Sequence, residues 1–127
     1  MKALIVDDQS YVADGIYAGV NWEKLGIDKV YVAYSGSQAM QYIKNNQIDL
    51  VITDIEMPEM DGHRLTKLVK TDDATKDIPV IIFSSLVNDD MKRKGEALGA
   101  DAQLSKPEIG NLVKIVDELV AEKHLDR

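Results

Sequence analysis

The segment Leu50–Pro58, with the sequence LVITDIEMP, determines our prediction of the fold. Its first four residues are apolar or β-branched, and they lie between two acids, Asp49 and Asp54. A short continuous run of this kind is typical of a β-strand that is buried on both faces. Asp54 follows the run directly, and open α/β folds bind their ligands at the edge where strands end. The alternative is that Asp54 only caps a helix or forms a turn, which are common roles for aspartate.

The composition predicts that residues 1–127 form a single soluble domain, with 45% hydrophobic and 29% charged residues. The chain has no cysteine, which excludes disulfides, thiolate metal sites and cysteine nucleophiles. Apolar runs are too short to span a membrane, and the N-terminus does not resemble a signal peptide, so we expect a cytoplasmic location and no membrane partner. A net charge of -7 argues against direct binding of nucleic acid and is compatible with binding a cation.

Short apolar segments alternate with amphipathic segments along the whole chain. This alternation predicts an α/β fold with five βα units, in which a doubly wound five-stranded parallel sheet is covered on both faces. The predicted strands are Lys2–Val6, Lys29–Ala33, Leu50–Thr53, Val80–Phe83 and a weaker one within Ala100–Ser105.

Each strand is followed by a predicted helix. We expect Ser10 and Ser37 to be the N-caps of the first two helices. The third helix is expected to run from about His63 to Val69, with inward-facing residues Leu65, Leu68 and Val69. The fourth begins at Asn88–Asp90 and contains Gly95. Because its apolar face is thin, consisting of Met91, Ala97 and Leu98, we expect it to be the least stable helix.

Polar residues follow four of the five strands, and the ends of parallel strands meet at one edge of a sheet. These residues are Asp7, Asp8, Asp54, Ser84 and Lys106. Crowded carboxylates would repel one another and raise their pKa values unless a divalent cation lies among them, and oxygen ligands with room for water suit Mg²⁺. A lysine and a hydroxyl beside them would complete a binding site for a phosphoryl group. Taken alone, Asp7, Asp8, Ser84 and Lys106 are more simply explained as helix caps, a turn residue and an exposed lysine, but four such coincidences at successive strand ends favour the site.

Six motifs in order resemble those of the receiver domain of two-component response regulators, the CheY-like family. They are Ile5–Asp8, Val51–Asp54, Met57–Gly62, Pro79–Ser85, Gly99–Ala102 and Lys106–Pro107. Each motif alone is weak, but the ordered set is highly specific and covers nearly the whole chain. The resemblance implies the flavodoxin-like fold with strand order 2-1-3-4-5.

The resemblance also implies a function and its residues. Asp54 would accept a phosphoryl group from a phosphohistidine on a sensor histidine kinase, and the chain would catalyse only its own phosphorylation and dephosphorylation. Mg²⁺ would be held by Asp7, Asp8, Asp54 and the backbone carbonyl of Glu56. Ser84 and Lys106 would contact the phosphoryl oxygens. The Lys106–Pro107 peptide bond is expected to be cis, which proline permits.

Gln103 departs from the family pattern, because an aromatic switch residue is expected at this position of the fifth strand. Either the polar side chain replaces the aromatic switch, or the signal passes through the loop after Ser84 and the helix that contains Gly95. We favour the second route, and we expect a downstream protein to bind the helix around Met91–Leu98 and the fifth strand.

Two positions are expected to tune the lifetime of the phosphoryl group by flanking the path of the hydrolytic water. They are Glu56 and Leu86, and with the anionic Glu56 we expect slower hydrolysis than with a polar amide there. His63 and His124 have no plausible partner in the sequence, and we assign them no role.

The two halves of the chain resemble different branches of the family. Residues around Asp14–Ile27 resemble AraC-type (YesN-like) receivers, whereas residues from Arg64 onward resemble CheV-type receivers. One hypothesis is therefore an engineered chimera joined within Met57–Gly62, without a physiological partner; the alternative is one natural protein. In a chimera, loose packing would be expected where the first and last helices meet, at Val12, Ile16, Leu112 and Val116.

Two other functions compete with the receiver. A Mg²⁺-dependent phosphatase or phosphotransferase of the haloacid dehalogenase type also phosphorylates an aspartate at a strand end, but it needs a second aspartate where this chain has Glu56. A flavodoxin-like binding module would need a phosphate-binding loop after the first strand, where Asp7 and Asp8 would repel a flavin phosphate.

Overall fold

The computed structural model describes residues 1–85, 88–106 and 109–125. Its strands are β1 (Lys2–Val6), β2 (Lys29–Ala33), β3 (Leu50–Thr53), β4 (Val80–Ser84) and β5 (Ala102–Ser105). Its helices are α1 (Ser10–Gly19), α2 (Gly36–Asn45), α3 (Gly62–Thr71), α4 (Asp89–Leu98) and α5 (Ile109–Leu125), with a short 3-10 helix at Glu23–Leu25. Strands and helices therefore alternate as the sequence predicted.

All pairs of neighbouring strands are parallel, and the sheet order is β2-β1-β3-β4-β5. The predicted five-stranded parallel sheet and its order are thus confirmed. β3 is the central strand and β1 lies beside it, and both are almost completely buried. The fold consequently places the residues after β1 and β3 at the centre of one sheet edge.

Successive strand residues point to opposite faces of the sheet and form two separate cores. On one face Ile5 and Ile52 pack with residues of α1 and α5, and on the other Leu4 and Val51 pack with residues of α2 and α3. Burial on both faces explains why the strands are continuous apolar runs rather than alternating ones.

The first and last helices meet in the core beside β1 and β3. Ile16, Leu112 and Val116 are each at most 4% exposed and belong to one cluster, and the partly buried Val12 packs against it. The two halves of the chain are therefore in close contact where a chimera would be expected to pack loosely.

The predicted N-caps of the first two helices are wrong. Gln9, not Ser10, is the N-cap of α1, and its side chain makes no capping hydrogen bond. Ser35, not Ser37, is the N-cap of α2, and its Oγ accepts a hydrogen bond from the Gln38 amide at 3.1 Å. Ser35 has the extended backbone that an N-cap requires, whereas Ser10 and Ser37 already lie within the first helical turn.

The helices on the second half of the chain differ from prediction in detail. α3 begins at Gly62, and its Leu68 is only half-buried. α4 begins where predicted, and Asn88 is its N-cap, since its side chain accepts a hydrogen bond from the Met91 amide at 2.9 Å. Ala97, predicted to face inward, is exposed because Gly95 occupies the position that contacts the sheet.

Within the described residues, no helix has both the length and the apolar character needed to cross a membrane.

Candidate phosphoacceptor site

Hydrogen bonds of the sheet continue past the strand ends and fix the residues that follow. The Asp7 amide donates to the Ala33 carbonyl at 3.1 Å, the Asp54 amide to Val6 at 3.0 Å, and the Lys106 amide to Ser84 at 3.1 Å. Asp7, Asp54 and Lys106 are therefore each held in register with the strand beside them.

Three carboxylates meet at this edge. Asp7, Asp8 and Asp54 each present one oxygen, and these oxygens all lie within 4.8 Å of one another. Asp7 is 1% exposed and Asp54 is 8% exposed, whereas Asp8 faces solvent. This donor set, with hard oxygens and one side open to water, is the kind that Mg²⁺ prefers.

Lys106 lies between two of these acids. Its Nζ is 2.6 Å from Asp7 Oδ2 and 3.7 Å from Asp54 Oδ2, and the side chain is 17% exposed. The structure thus brings together the three acids and the lysine that the sequence placed at strand ends. The ammonium partly neutralises a group of charges that would otherwise repel one another.

The two oxygens of Asp54 have different surroundings. Oδ1 accepts a hydrogen bond from the Ile55 amide at 2.8 Å, whereas Oδ2 faces Lys106. Burial raises the pKa of Asp54, and the negative charge of Asp7 adds to this, although a hydrogen bond from Ser84 and the charge of Lys106 act in the opposite direction. Asp54 is therefore a desolvated carboxylate with one oxygen held by a backbone amide and the other facing an ammonium.

The start of α3 supports the backbone of Asp54, which sequence reasoning missed. A Cβ built on Gly62 would lie 1.9 Å from the Asp54 carbonyl oxygen and 3.0 Å from Ile55 Cα. The Gly62 amide donates to the Ile55 carbonyl at 2.9 Å, and the Thr66 hydroxyl donates to the Gly62 carbonyl at 2.7 Å. The glycine that ends the Met57–Gly62 motif was the signal for this close approach.

A cleft beside the acids connects the site to α4. Its lining includes Asp8, the exposed Glu56, Asp61 and Met91 from the first turn of α4. Of the other predicted positions, Leu86 and Pro107 lie outside the described residues, as does the side chain of His124. Gln103 does not reach the acids; its side chain contacts α4.

His63 is buried, although the sequence analysis assigned it no role. It is 2% exposed in α3 and donates a hydrogen bond to the backbone of Met91 in α4. Its Nε2 is buried and has no hydrogen-bond partner among the described residues. Burial lowers the pKa of His63, and the charge of Lys94 lowers it further.

The lowered pKa of His63 predicts a pH dependence of stability. The unfolded chain binds the proton more readily than the folded one, so stability is complete above the ordinary value of about 6.5 and decreases as the pH falls through it. His63→Gln cannot titrate, so the wild type should lose more thermal stability than this variant between about pH 7.5 and pH 5.5. Parallel melting curves at a series of pH values measure the difference; equal pH slopes would contradict it.

The chain matches known proteins along most of its length. The family model of the response regulator receiver domain matches residues 3–117. A gliding motility regulatory protein of Myxococcus xanthus is 40% identical over 121 residues, covering 94% of this chain and 15% of that protein. The uncharacterized transcriptional regulatory protein YesN of Bacillus subtilis (strain 168) is 30% identical over 122 residues, covering 95% of this chain and 33% of that protein. The chain therefore spans at most a third of the length of these two curated relatives.

Solved structures agree with this match over nearly the full length. The receiver domain of the Francisella response regulator 1452 is 32% identical with a TM-score of 0.84, and the alignment covers 96% of this chain and 98% of that one. The signal receiver domain of a DNA-binding response regulator from Colwellia psychrerythraea 34H is 28% identical with a TM-score of 0.86, covering 95% and 98%. Because the match to YesN also runs along most of the chain, it is not confined to the first half; the chimera hypothesis stays a prediction.

Proposed function

The chain belongs to the response regulator receiver domain family, and from this premise we propose that Asp54 accepts a phosphoryl group from a phosphohistidine of a sensor histidine kinase. The observation that carries the proposal is the geometry of Asp54. Its carboxylate is desolvated, one oxygen is held by the Ile55 amide, and the other lies 3.7 Å from the Lys106 ammonium beside two further acids.

Oδ2, the oxygen that faces Lys106 and is not held by the Ile55 amide, is the atom suited to attack phosphorus. A P–O bond forms to Asp54 as the P–N bond of the phosphohistidine breaks, and the electron pair of that bond remains on the imidazole nitrogen. The donor is already reactive, so the protein contributes mainly position and charge neutralisation. Lys106 is within reach of the incoming phosphoryl oxygens, and the buried Ser84 hydroxyl, which already contacts Asp54, is the second group placed to bind one.

Receiver domains generally bind Mg²⁺ at an acidic pocket, and the acids of this chain fit that ion. Asp7, Asp8 and Asp54 would hold it together with the backbone carbonyl of Glu56. Bound there, Mg²⁺ would neutralise charge on the transferred phosphoryl group. An ion bound there would also explain why the chain tolerates three carboxylates so close together at one edge.

Phosphorylation by a small donor tests the proposal. With Mg²⁺ and acetyl phosphate, intact mass spectrometry should show a single phosphoryl adduct that forms in the wild type and is absent from Asp54→Asn. A chelator added before the donor should prevent the adduct. Absence of an adduct from the wild type, or an undiminished adduct in Asp54→Asn, would contradict the assignment. Rapid multiple turnover of the donor would instead indicate a phosphatase of the haloacid dehalogenase type.

The output surface belongs to the same proposal. We infer that a downstream protein binds α4 and β5, and that this chain acts in the cytoplasm through proteins rather than by direct contact with nucleic acid or a membrane. Met91 supports the choice of α4, because it lines the cleft that leads to the acids. Glu56 in the same cleft is exposed, in keeping with a role, shared with Leu86, in controlling the access of water to the acyl phosphate.

A further inference from the structure

A cleft with a basic lining lies between α3 and α4, outside the phosphoacceptor site. It has a volume of about 460 Å³, and its polar lining consists of Glu59, Asp61, His63, Arg64, Lys67 and Lys94. Three of these side chains are exposed cations, two on α3 and one on α4. Of the residues that line this cleft, only Asp61 also lines the cleft beside the acids, so the two clefts are distinct places on the molecule.

The positive charge of this cleft is not neutralised by the protein. Within the part of the chain that the structure describes, Arg64, Lys67 and Lys94 make no ion pair, although the chain has 22 acids and 15 basic residues. The remaining cation of α3 differs, because Lys70 pairs with Asp101 at 2.8 Å. α3 itself contains no acid. In a chain with a net charge of -7, this cleft is therefore a local surplus of positive charge that favours an anion.

The buried imidazole of His63 is a second observation that points to a ligand. The residue lines the cleft and is 2% exposed, and its Nε2 has no hydrogen-bond partner among the described residues. A buried polar atom without a partner is unfavourable. Burial and the charge of Lys94 lower the pKa of His63, whereas the charge of Asp61 raises it. An anion in the cleft would offset the charge of Lys94 and favour the protonated ring, which has a further N–H to donate.

The two acids of the cleft belong to the segment that precedes α3. Asp61 is already engaged as the N-cap of α3, where its Oδ1 accepts a hydrogen bond from the Arg64 amide at 2.8 Å. Glu59 has a φ of 67°, in the left-handed region that favours glycine, and it is the non-glycine residue with this conformation among those described. Backbone strain of this kind is concentrated at ligand and active sites. The acids therefore leave the cations on the two helices available to a ligand.

We propose that the cleft between α3 and α4 binds a small molecule that carries two linked phosphate groups, held by Arg64 and Lys67 on one side and Lys94 on the other. Guanidinium and ammonium groups are the usual partners of phosphate, and two linked phosphates have enough charged oxygens to contact all three cations. The volume of the cleft lies in the range of small-molecule sites. The site contains none of the residues assigned to phosphoryl transfer, so it stands or fails independently of the proposed function.

Calorimetric titration with inorganic pyrophosphate tests the site, at low salt and with a chelator present so that no metal occupies the acids. The double variant Arg64→Gln/Lys67→Gln should bind pyrophosphate at least about 10-fold more weakly than the wild type. Lys94→Gln, on the other helix, should also weaken binding. The matched control is Lys24→Gln/Lys44→Gln, which removes two exposed lysines outside the cleft and should change the affinity by less than about 2-fold. All the replaced side chains are exposed, and melting curves check that each variant is folded.

The ring of His63 reports where the ligand binds. In a His124→Gln background His63 is the remaining histidine, so its imidazole resonances can be followed by NMR as the pH is changed. Pyrophosphate should raise the pKa of His63, and this response should be lost in Arg64→Gln/Lys67→Gln. Inorganic phosphate and citrate, a tricarboxylate, should both bind more weakly than pyrophosphate.

Four results would overturn the proposal. They are no binding of pyrophosphate to the wild type, an equal loss of affinity in the cleft variants and the lysine control, an unchanged pKa of His63 in a protein that binds pyrophosphate, and binding that is lost in Lys106→Met but kept in the cleft variants. The last result would place the ligand at the phosphoacceptor site. Tighter binding of citrate than of pyrophosphate would overturn the choice of phosphate as the recognised group.

Discussion

Gly62→Ala is expected to destabilise the protein by about 3 kcal/mol, at the upper end of the usual cost of overpacking. The added Cβ would lie 1.9 Å from the Asp54 carbonyl oxygen and 2.9 Å from the Asp54 carbonyl carbon. These are backbone atoms of the segment that follows β3, so no change of rotamer can relieve the contact. Either α3 or the Asp54–Ile55 backbone has to move. Urea denaturation of the purified variant measures the loss.

Gly15→Ala is the matched control for this variant. Gly15 lies exposed inside α1, and a Cβ built there would meet nothing within 4 Å. The same substitution should therefore stabilise the protein by about 1 kcal/mol through helix propensity alone. If Gly62→Ala were as stable as the wild type, the close packing of α3 on Asp54 would be wrong.

Gly62→Ala should also affect the site. Because the displaced atoms belong to Asp54 itself, any molecules that remain folded should accept a phosphoryl group more slowly than Gly15→Ala, which leaves Asp54 undisturbed.

The second large effect concerns Lys106. Lys106→Met should slow phosphorylation by acetyl phosphate about 100-fold, the effect typical of removing one group that stabilises developing negative charge. The ammonium is 3.7 Å from Asp54 Oδ2, and methionine keeps most of the length of the side chain without its charge. Rates of adduct formation by intact mass give the ratio. The variant should also be less stable without Mg²⁺, since Asp7 loses its ion pair.

Lys70→Met provides the control for the loss of a largely buried lysine. The Lys70 side chain is 14% exposed, similar to the 17% of Lys106, and its Nζ is 2.8 Å from Asp101. It also donates a hydrogen bond to the Ile78 carbonyl at 2.7 Å. Lys70→Met should therefore lower stability without slowing phosphorylation. Equal phosphorylation rates in both lysine variants would show that Lys106 acts only structurally.

It was predictable that the site residues meet at one edge of the sheet, because parallel strands all end at the same edge. Each run of apolar residues located a strand, and the polar residue after it located one member of the site. Asp7, Asp54 and Lys106 are consequently found together as predicted. The strand order followed from the resemblance and not from the pattern, since the alternation of strands and helices alone does not order a sheet.

Other features depend on contacts that no local pattern encodes. In the segment Ser35–Gly36–Ser37 both serines are suitable caps, and the extended backbone of Ser35 decides between them. The inward position of Gly95 and the exposure of Ala97 depend on where Gln103 places its carboxamide, a contact between elements that are separate in sequence. The burial of His63 likewise depends on α4, because the sequence of α3 alone does not show what covers it.

The most direct test of the account is to locate the phosphoryl group by chemical trapping. Sodium borohydride reduces an aspartyl phosphate to homoserine, which marks the modified residue permanently for peptide sequencing. After treatment with Mg²⁺ and acetyl phosphate, we predict homoserine at position 54, with Asp7 and Asp8 remaining aspartate. Homoserine at another carboxylate, or its absence from a chain that carries the phosphoryl adduct, would contradict the assignment of Asp54 as the phosphoacceptor.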